Sequence, residues 1–183
     1  MSVRAGMDRL WAPWRIAYLG RARERGEECL FCRVARSRAD RTHLVLARRP
    51  QAFLLLNRYP YTGGHLMVAV RAHRPRFALL SPAERTDLLD LVGLAERALE
   101  AEYQPHGLNV GANLGRVAGA GFPGHLHVHV VPRWDGDTNF MATIGETRVL
   151  PESLRRTWAR LRRTIRSLER PLAARRRGRG PRE

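Results

Sequence analysis

The sequence predicts an α+β fold: an antiparallel sheet of about five strands with one central helix and one C-terminal helix. Three observations predict it. Strand-like apolar runs are grouped early in the chain, over 42–48, 52–57 and 65–70. One long helical pattern follows over 81–103, and a second lies near the end over 151–170. Between the helices stands a run in which histidine alternates with apolar residues, His125-Leu126-His127-Val128-His129-Val130. Alternation with period two marks a strand with two unlike faces. Strands grouped together, rather than alternating singly with helices, imply antiparallel pairing.

Residues 1–28 read as an N-terminal arm. Within it, Leu10-Trp11-Ala12-Pro13-Trp14-Arg15-Ile16-Ala17-Tyr18-Leu19 carries large apolar groups suited to packing on the domain or to a contact between copies. Residues 21–28 are charged, an exposed helix end or loop, and Cys29-Leu30-Phe31-Cys32 follows. The runs 42–48 and 52–57 are strands separated by Arg49-Pro50, and Tyr59-Pro60-Tyr61-Thr62-Gly63-Gly64 is a turn before a third strand, 65–70. Ser81-Pro82-Ala83-Glu84 is a helix start. Serine caps, proline suits the first helical position, and glutamate completes a capping box. Leu88, Leu91, Val92, Ala95 and Leu99 then make one apolar face, and the helix ends near Tyr103, before Pro105 and Gly107. Residues 108–112 form a short strand, and 113–124 a glycine-rich loop leading into the histidine strand, whose Leu126, Val128 and Val130 point to the core. In the last helix, Leu154, Trp158, Leu161, Ile165 and Leu168 lie on one stripe. The domain order is therefore an arm over 1–28, a main domain over 29–146, a C-terminal helix over 147–170 and a disordered basic tail over 171–183.

The chain has 183 residues, 44% of them hydrophobic, enough for one domain with a sizeable core. Without an apolar run of membrane-spanning length or a secretory leader pattern, a cytoplasmic location is expected. Net charge is +16, with arginine as the sole basic side chain besides histidine. Residues 151–183 hold 12 arginines and three glutamates, a charge of +9. Such a balance favours anionic partners.

Imidazole near neutral pH serves as nucleophile, acid, phosphate partner or metal ligand. A row of three on one strand face, with successive rings about 7 Å apart, marks a functional site. Small residues in Ala118-Gly119-Ala120-Gly121 let backbone N–H groups approach a phosphate. The two cysteines, Cys29 and Cys32, form a chelating half-site for Zn²⁺. Their spacing suits metal or redox chemistry better than a structural disulfide in a reducing compartment.

The histidine run resembles the hallmark of the histidine triad (HIT) family, His-x-His-x-His followed by two apolar residues, here Val130 and Val131. The resemblance extends over about residues 10–146. It implies a HIT-like fold that binds nucleotides and cleaves phosphoanhydride or phosphoramide bonds at the α-phosphate. It makes His127 the nucleophile, with the carbonyl of His125 holding its tautomer and a nucleotidyl-histidine as intermediate. Asn113, the loop at Gly119, Ala120 and Gly121, and the imidazoles of His129 and His65 complete the phosphate cradle. Asn57, eight residues before His65, matches the family's ribose handle, and Leu30, Phe31 and Leu55 match the apolar positions around the base. The Gly-Ala-Gly spacing of the loop is one residue longer than in many relatives. Zinc-containing members add a histidine after the early strand and the first triad histidine to two cysteines. That set is Cys29, Cys32, His73 and His125 here, and its closed coordination implies structural zinc. His43 and His106 match no part of the pattern.

Trp11-Ala12-Pro13-Trp14-Arg15 is similar to the opening of a bacterial branch that includes diadenosine tetraphosphate phosphorylases. This branch implies diadenosine tetraphosphate as substrate. Inorganic phosphate as acceptor gives ADP and ATP; water gives AMP and ATP. Pro132-Arg133-Trp134 favours the phosphorylase, with Trp134 shaping an acceptor or product site. A homodimer through the central helix and an edge strand is implied, with a tetramer through 11–19 as a further level. The alternatives are a nucleoside phosphoramidase of the same family and, from another class, a nucleic-acid-binding protein using its basic tail. Hexose-phosphate uridylyl transfer fits less well, because its motif has His-Pro-His where this chain has His127-Val128-His129.

Overall fold

In the computed structural model, which describes residues 28–137 and 152–177, the order of elements is α1 (Leu30–Arg36), β1 (Val45–Arg48), β2 (Ala52–Leu56), β3 (Leu66–Val70), a 3₁₀ turn (Phe77–Leu79), α2 (Pro82–Tyr103), β4 (Gly107–Gly111), β5 (His127–Arg133) and α3 (Leu154–Arg177). These elements belong to one unit, Glu28–Asp135 with Leu150–Glu183. The strands form one sheet in the order β1-β2-β3-β5-β4, every pair antiparallel. This is the α+β architecture expected from the sequence. Most of the N-terminal arm with its Trp11–Arg15 motif, residues 138–151, and the tail beyond Arg177 lie outside the described residues.

The sheet is covered on both sides, which explains why β2 (AFLLL) and β3 (LMVAV) are unbroken apolar runs. On one face Leu46, Leu54, Leu56, Leu66, Val68, Val128 and Val130 meet Leu88, Leu91, Leu94 and Leu99 of α2 and Leu161 and Ile165 of α3. On the other face Val45, Phe53, Leu55, Met67 and Ala69 meet Phe31, Val34 and Ala35 of α1. The alternation of β5 sorts it between the two: Leu126, Val128 and Val130 go to the helix side. His127 and His129 lie opposite Ala69 and Met67 on the α1 side.

The capping box of α2 forms as expected. Ser81 N–H donates to Glu84 Oε2 at 2.7 Å, and Glu84 N–H donates to Ser81 Oγ at 3.2 Å. The helix ends at Tyr103, with Gln104 left-handed at φ 47°. α3 covers the open edge of β1. Trp158 Nε1–H donates to the Val45 carbonyl at 2.9 Å, and Arg162 donates to the Leu46 carbonyl. An edge strand's unpaired carbonyls are thereby satisfied. A second anchor joins the C-terminal end of α2 to α3, where Arg160 pairs with Glu102 and Glu152 at 2.7 and 3.3 Å.

Two expectations change. The short helix α1 was not anticipated at Leu30. Its seven residues carry no serine, threonine, asparagine or aspartate cap, and its signal is the helical spacing of Phe31, Val34 and Ala35 alone. α3 does not stop at Arg170 but continues through Pro171 to Arg177, so disorder does not begin at 171. An interior proline removes the hydrogen bond to the carbonyl four residues earlier. The residues after it, Leu-Ala-Ala-Arg-Arg-Arg, are all strong helix formers.

Candidate active site and metal cluster

β5 starts at His127, and its histidine side faces α1. His125 precedes the strand, and its ring, 5.2 Å from that of Phe31, reaches the two cysteines. The His127 and His129 rings lean together, with centroids 5.1 Å apart and planes at 72°. Nδ1–H of His127 donates to the carbonyl of His125 at 2.8 Å. That bond fixes one tautomer and puts the lone pair on Nε2. Phe31 stacks on the His127 ring at 4.7 Å and 29°, holding its plane. His127 is 6% exposed, so both ring orientation and solvent access are restricted.

A second chain of bonds sets His129. Tyr61 N–H donates to His65 Nδ1 at 3.1 Å. His65 then carries its proton on Nε2, which donates to His129 Nδ1 at 2.9 Å. In neutral His129 the proton must sit on Nε2. One backbone N–H thus makes His129 a hydrogen-bond donor at the edge beside His127, the form suited to a phosphoryl oxygen. The Tyr61 ring stacks on His65 at 4.7 Å and 22°, reinforcing the arrangement.

The other expected site residues distribute as follows. Asn57 sits beside His65. Its Oδ1 accepts from Tyr59 N–H at 2.9 Å, and its Nδ2 is 3.3 Å from His65 Nδ1. Leu30, Phe31 and Leu55 share the apolar cluster on the histidine face, which also takes in Phe122. Trp134 lies just past β5, half-buried, and neighbouring Arg133 donates to Asn109 Oδ1 at 2.8 Å. The loop before the triad differs from expectation. Gly119 N–H donates to the Arg116 carbonyl at 3.0 Å, and Ala120 N–H to the Gly115 carbonyl at 3.2 Å. Gly115 and Gly119, both with positive φ, fold the loop back on itself, so these two N–H groups serve its own turn. Asn113 likewise donates to the Gly119 carbonyl at 3.3 Å. Asn113, Gly119 and Ala120 therefore shape the loop here, and Gly121 follows them into the approach to His125. Phe122, Tyr61 and the carbonyl of Val70 were not anticipated. The aromatic residues were legible only as members of a turn and a loop.

Cys29, Cys32, His73 and His125 converge, with their ligand atoms all within 4.8 Å of one another. Cys29 stands at the N-terminal cap of α1 and Cys32 one turn in, so one short helix aims both sulfurs the same way. The carbonyl of Arg74 accepts from Leu126 N–H at 2.6 Å, drawing the His73 segment to the triad strand. Gly124 permits this approach: a Cβ there would stand 3.0 Å from His73 Nε2. His125 Nε2–H donates to the Val70 carbonyl at 2.8 Å, leaving the Nδ1 lone pair towards the sulfurs. Sulfur–nitrogen separations are 3.3, 3.4 and 3.5 Å. Tetrahedral Zn²⁺ with ordinary bond lengths gives an edge of about 3.6 Å, so the donor set fits that ion. Burial opposes ionisation of Cys29, but contact with His125 and the backbone N–H groups of Cys32 and Phe31 outweighs it and holds the thiol down to about 6. Burial and the neighbouring charge of Cys29 push the Cys32 thiol up.

Comparison with known proteins agrees with this geometry. The family profile described as HIT domain matches residues 38–136. The chain is similar to a protein named AP-4-A phosphorylase from Mycobacterium tuberculosis, at 38% identity over 167 residues, covering 84% of this chain and 86% of that one. Among solved structures, a Zn-bound histidine triad family protein from Mycobacterium smegmatis superposes with a TM-score of 0.64 at 21% identity, covering 79% of this chain and 97% of that one. A hypothetical histidine triad nucleotide-binding protein from Sulfolobus tokodaii gives 0.62 at 25% identity, covering 78% and 95%.

Proposed function

The chain belongs to the HIT domain family, and on that premise we propose that it cleaves diadenosine tetraphosphate at an α-phosphate and transfers the AMP unit to inorganic phosphate. The observation that carries this reading is the 2.8 Å bond from His127 Nδ1–H to the His125 carbonyl, which leaves Nε2 as the nucleophilic nitrogen. Nε2 attacks the α-phosphorus, the N–P bond forms, and the bridging P–O bond to the leaving triphosphate breaks. ATP departs and AMP stays on His127. Phosphate then attacks the same phosphorus, the N–P bond breaks, and ADP leaves. A polyphosphate is a stable leaving anion, so the demand on the protein is stabilisation of charge around phosphorus. His129, proton on Nε2, meets that charge; His65 holds His129 in that tautomer. Leu30, Leu55 and Phe122 offer an apolar wall for the base, and Asn57 an amide for the ribose.

Cys29, Cys32, His73 and His125 hold a structural zinc ion in this reading. Bound zinc supplies cross-linking of α1 to the triad strand and takes no part in the transfer. The chain acts as a homodimer. Support comes from β4, the open edge of the sheet, and from α2, where Val110 and Leu89 are 53% and 67% exposed.

Product analysis tests the proposal. Diadenosine tetraphosphate with phosphate should yield ADP and ATP in equal amounts. AMP and ATP formed at the same rate with or without phosphate would make the enzyme a hydrolase. No turnover of the dinucleotide, with cleavage of an adenosine phosphoramidate, would make it a phosphoramidase.

A further inference from the structure

The charge concentrated in α3 has no part in the proposed reaction. Arg163, Arg166 and Arg170 project from the side of α3 opposite Leu161 and Ile165, and all three are exposed while those two are fully buried. Arg156, seven residues before Arg163, lies on the same side of the helix about two turns earlier. Its nearest carboxylate, Glu152, lies 3.6 Å away. Among the described residues, no carboxylate lies within salt-bridge distance of Arg163, Arg166 or Arg170. Glu169, the acidic residue nearest them in sequence, is turned aside to Arg49 at 2.7 Å. Helix geometry spaces the three arginines about 4.5 and 6 Å apart along the axis.

We infer that this arginine face of α3 is a docking surface for duplex DNA, bound through its phosphates without reading of base sequence. Charge density selects the partner. A duplex presents one phosphate per about 3.4 Å on each strand, so the run of about 10.5 Å from Arg163 to Arg170 meets about three along the strand it faces, one for each arginine. An extended acidic peptide rises about 3.3 Å per residue and turns alternate side chains away, so it offers about half as many. An anionic membrane is disfavoured because an interfacial helix needs an apolar face to insert, and that of α3 is packed in the core. Single strands are bound on platforms of several aromatic rings; the hollow lined by Arg163, Arg166 and Arg170 holds one aromatic side chain, Trp158, whose Nε1–H is tied to the Val45 carbonyl. The face is opposite to the helix side that meets the sheet, so docking leaves the histidine face open.

The test uses the full chain, a fluorescent 20-base-pair DNA duplex of mixed sequence, and anisotropy at several salt concentrations. Each phosphate contact contributes about −0.9 to the slope of log K against log salt. Arg163→Gln/Arg166→Gln/Arg170→Gln should make the slope shallower by about 2.7 on that basis and weaken binding at low salt, with turnover of diadenosine tetraphosphate unchanged. The triple lysine variant should keep the wild-type slope, because phosphate contact needs charge rather than the guanidinium plane. An unchanged slope in the glutamine variant, or no duplex binding at about 50 mM salt, would overturn the inference. So would tighter binding to anionic vesicles, to an acidic peptide or to a single strand of the same length. Failure of the reaction assay leaves this inference standing, since the two depend on opposite faces.

Discussion

Phe31→Ala removes the side chain that joins the two halves of the site. The Phe31 ring is 1% exposed and has centroids at 4.7 Å from His127, 5.2 Å from His125 and 5.5 Å from Phe122. A buried aromatic side chain of about 150–250 Å² is worth roughly 4–6 kcal/mol at 25 cal/mol per Å². Truncations of core phenylalanine to alanine cost about 3–5 kcal/mol, and that range is the better guide because the cavity relaxes partly. For a chain of this size each kcal/mol shifts Tm by about 2–4 °C, so the expected fall is roughly 6–20 °C. Circular dichroism melting measures it. Turnover at a temperature where the variant is still folded should fall as well, since the ring that holds the His127 plane is gone. Ile165→Ala is the control, a fully buried residue on the far face. It should lose about 2–5 kcal/mol of stability while folded enzyme keeps its turnover. A Tm loss below about 3 °C for Phe31→Ala, or equal turnover in the two variants, would refute the reasoning.

Cys32→Ser and His73→Ala should each remove one zinc equivalent per chain, measured by plasma emission spectrometry, and lower Tm together with it, because a structural metal's binding energy is folding energy. Full stability in metal-free protein would remove zinc from the account. Burial opposes ionisation of Glu102, yet bonds from Thr164 and Arg160 hold its carboxyl below the usual glutamate range. Its stabilisation is therefore fully present above the unfolded value of about 4.3 and is lost as pH falls through the lower folded value. Glu102→Gln should flatten the acid side of the Tm–pH profile, and a profile parallel to wild type would count against the ion pair. His65→Ala releases the His129 tautomer and should slow turnover by roughly 10²-fold with little change in nucleotide affinity.

The sheet, the long helix and the triad strand were legible because each has a strong local signature. The Ser81–Glu84 box fixed one end of α2, Pro105 and Gly107 fixed the other, and alternation fixed the facing of β5. α1 escaped notice because its seven residues lack a cap and its three buried side chains are too few to show a period. The metal cluster was legible from Cys29 and Cys32, but its assembly depends on the Arg74–Leu126 bond between segments more than fifty residues apart. The relay from Tyr61 to His129 was invisible for a related reason. It runs through a backbone N–H, which every residue other than proline has, and its direction depends on the fold. The fold of the 118–121 loop was not legible, because Gly115 and Gly119 both allow a left-handed turn that is closed by the N–H groups of Gly119 and Ala120.

The central claim is that His127 Nε2 carries the nucleotide. Incubating the enzyme with diadenosine tetraphosphate labelled at the α-phosphate, quenching in alkali and mapping the labelled peptide tests it directly. Phosphoramidates survive alkali and hydrolyse in acid, which separates a nucleotidyl-histidine from an acyl phosphate. The account predicts alkali-stable label on His127, and in His127→Ala no label with turnover down by several orders of magnitude. Label on His65 or His129, or near-normal turnover in His127→Ala, would contradict it.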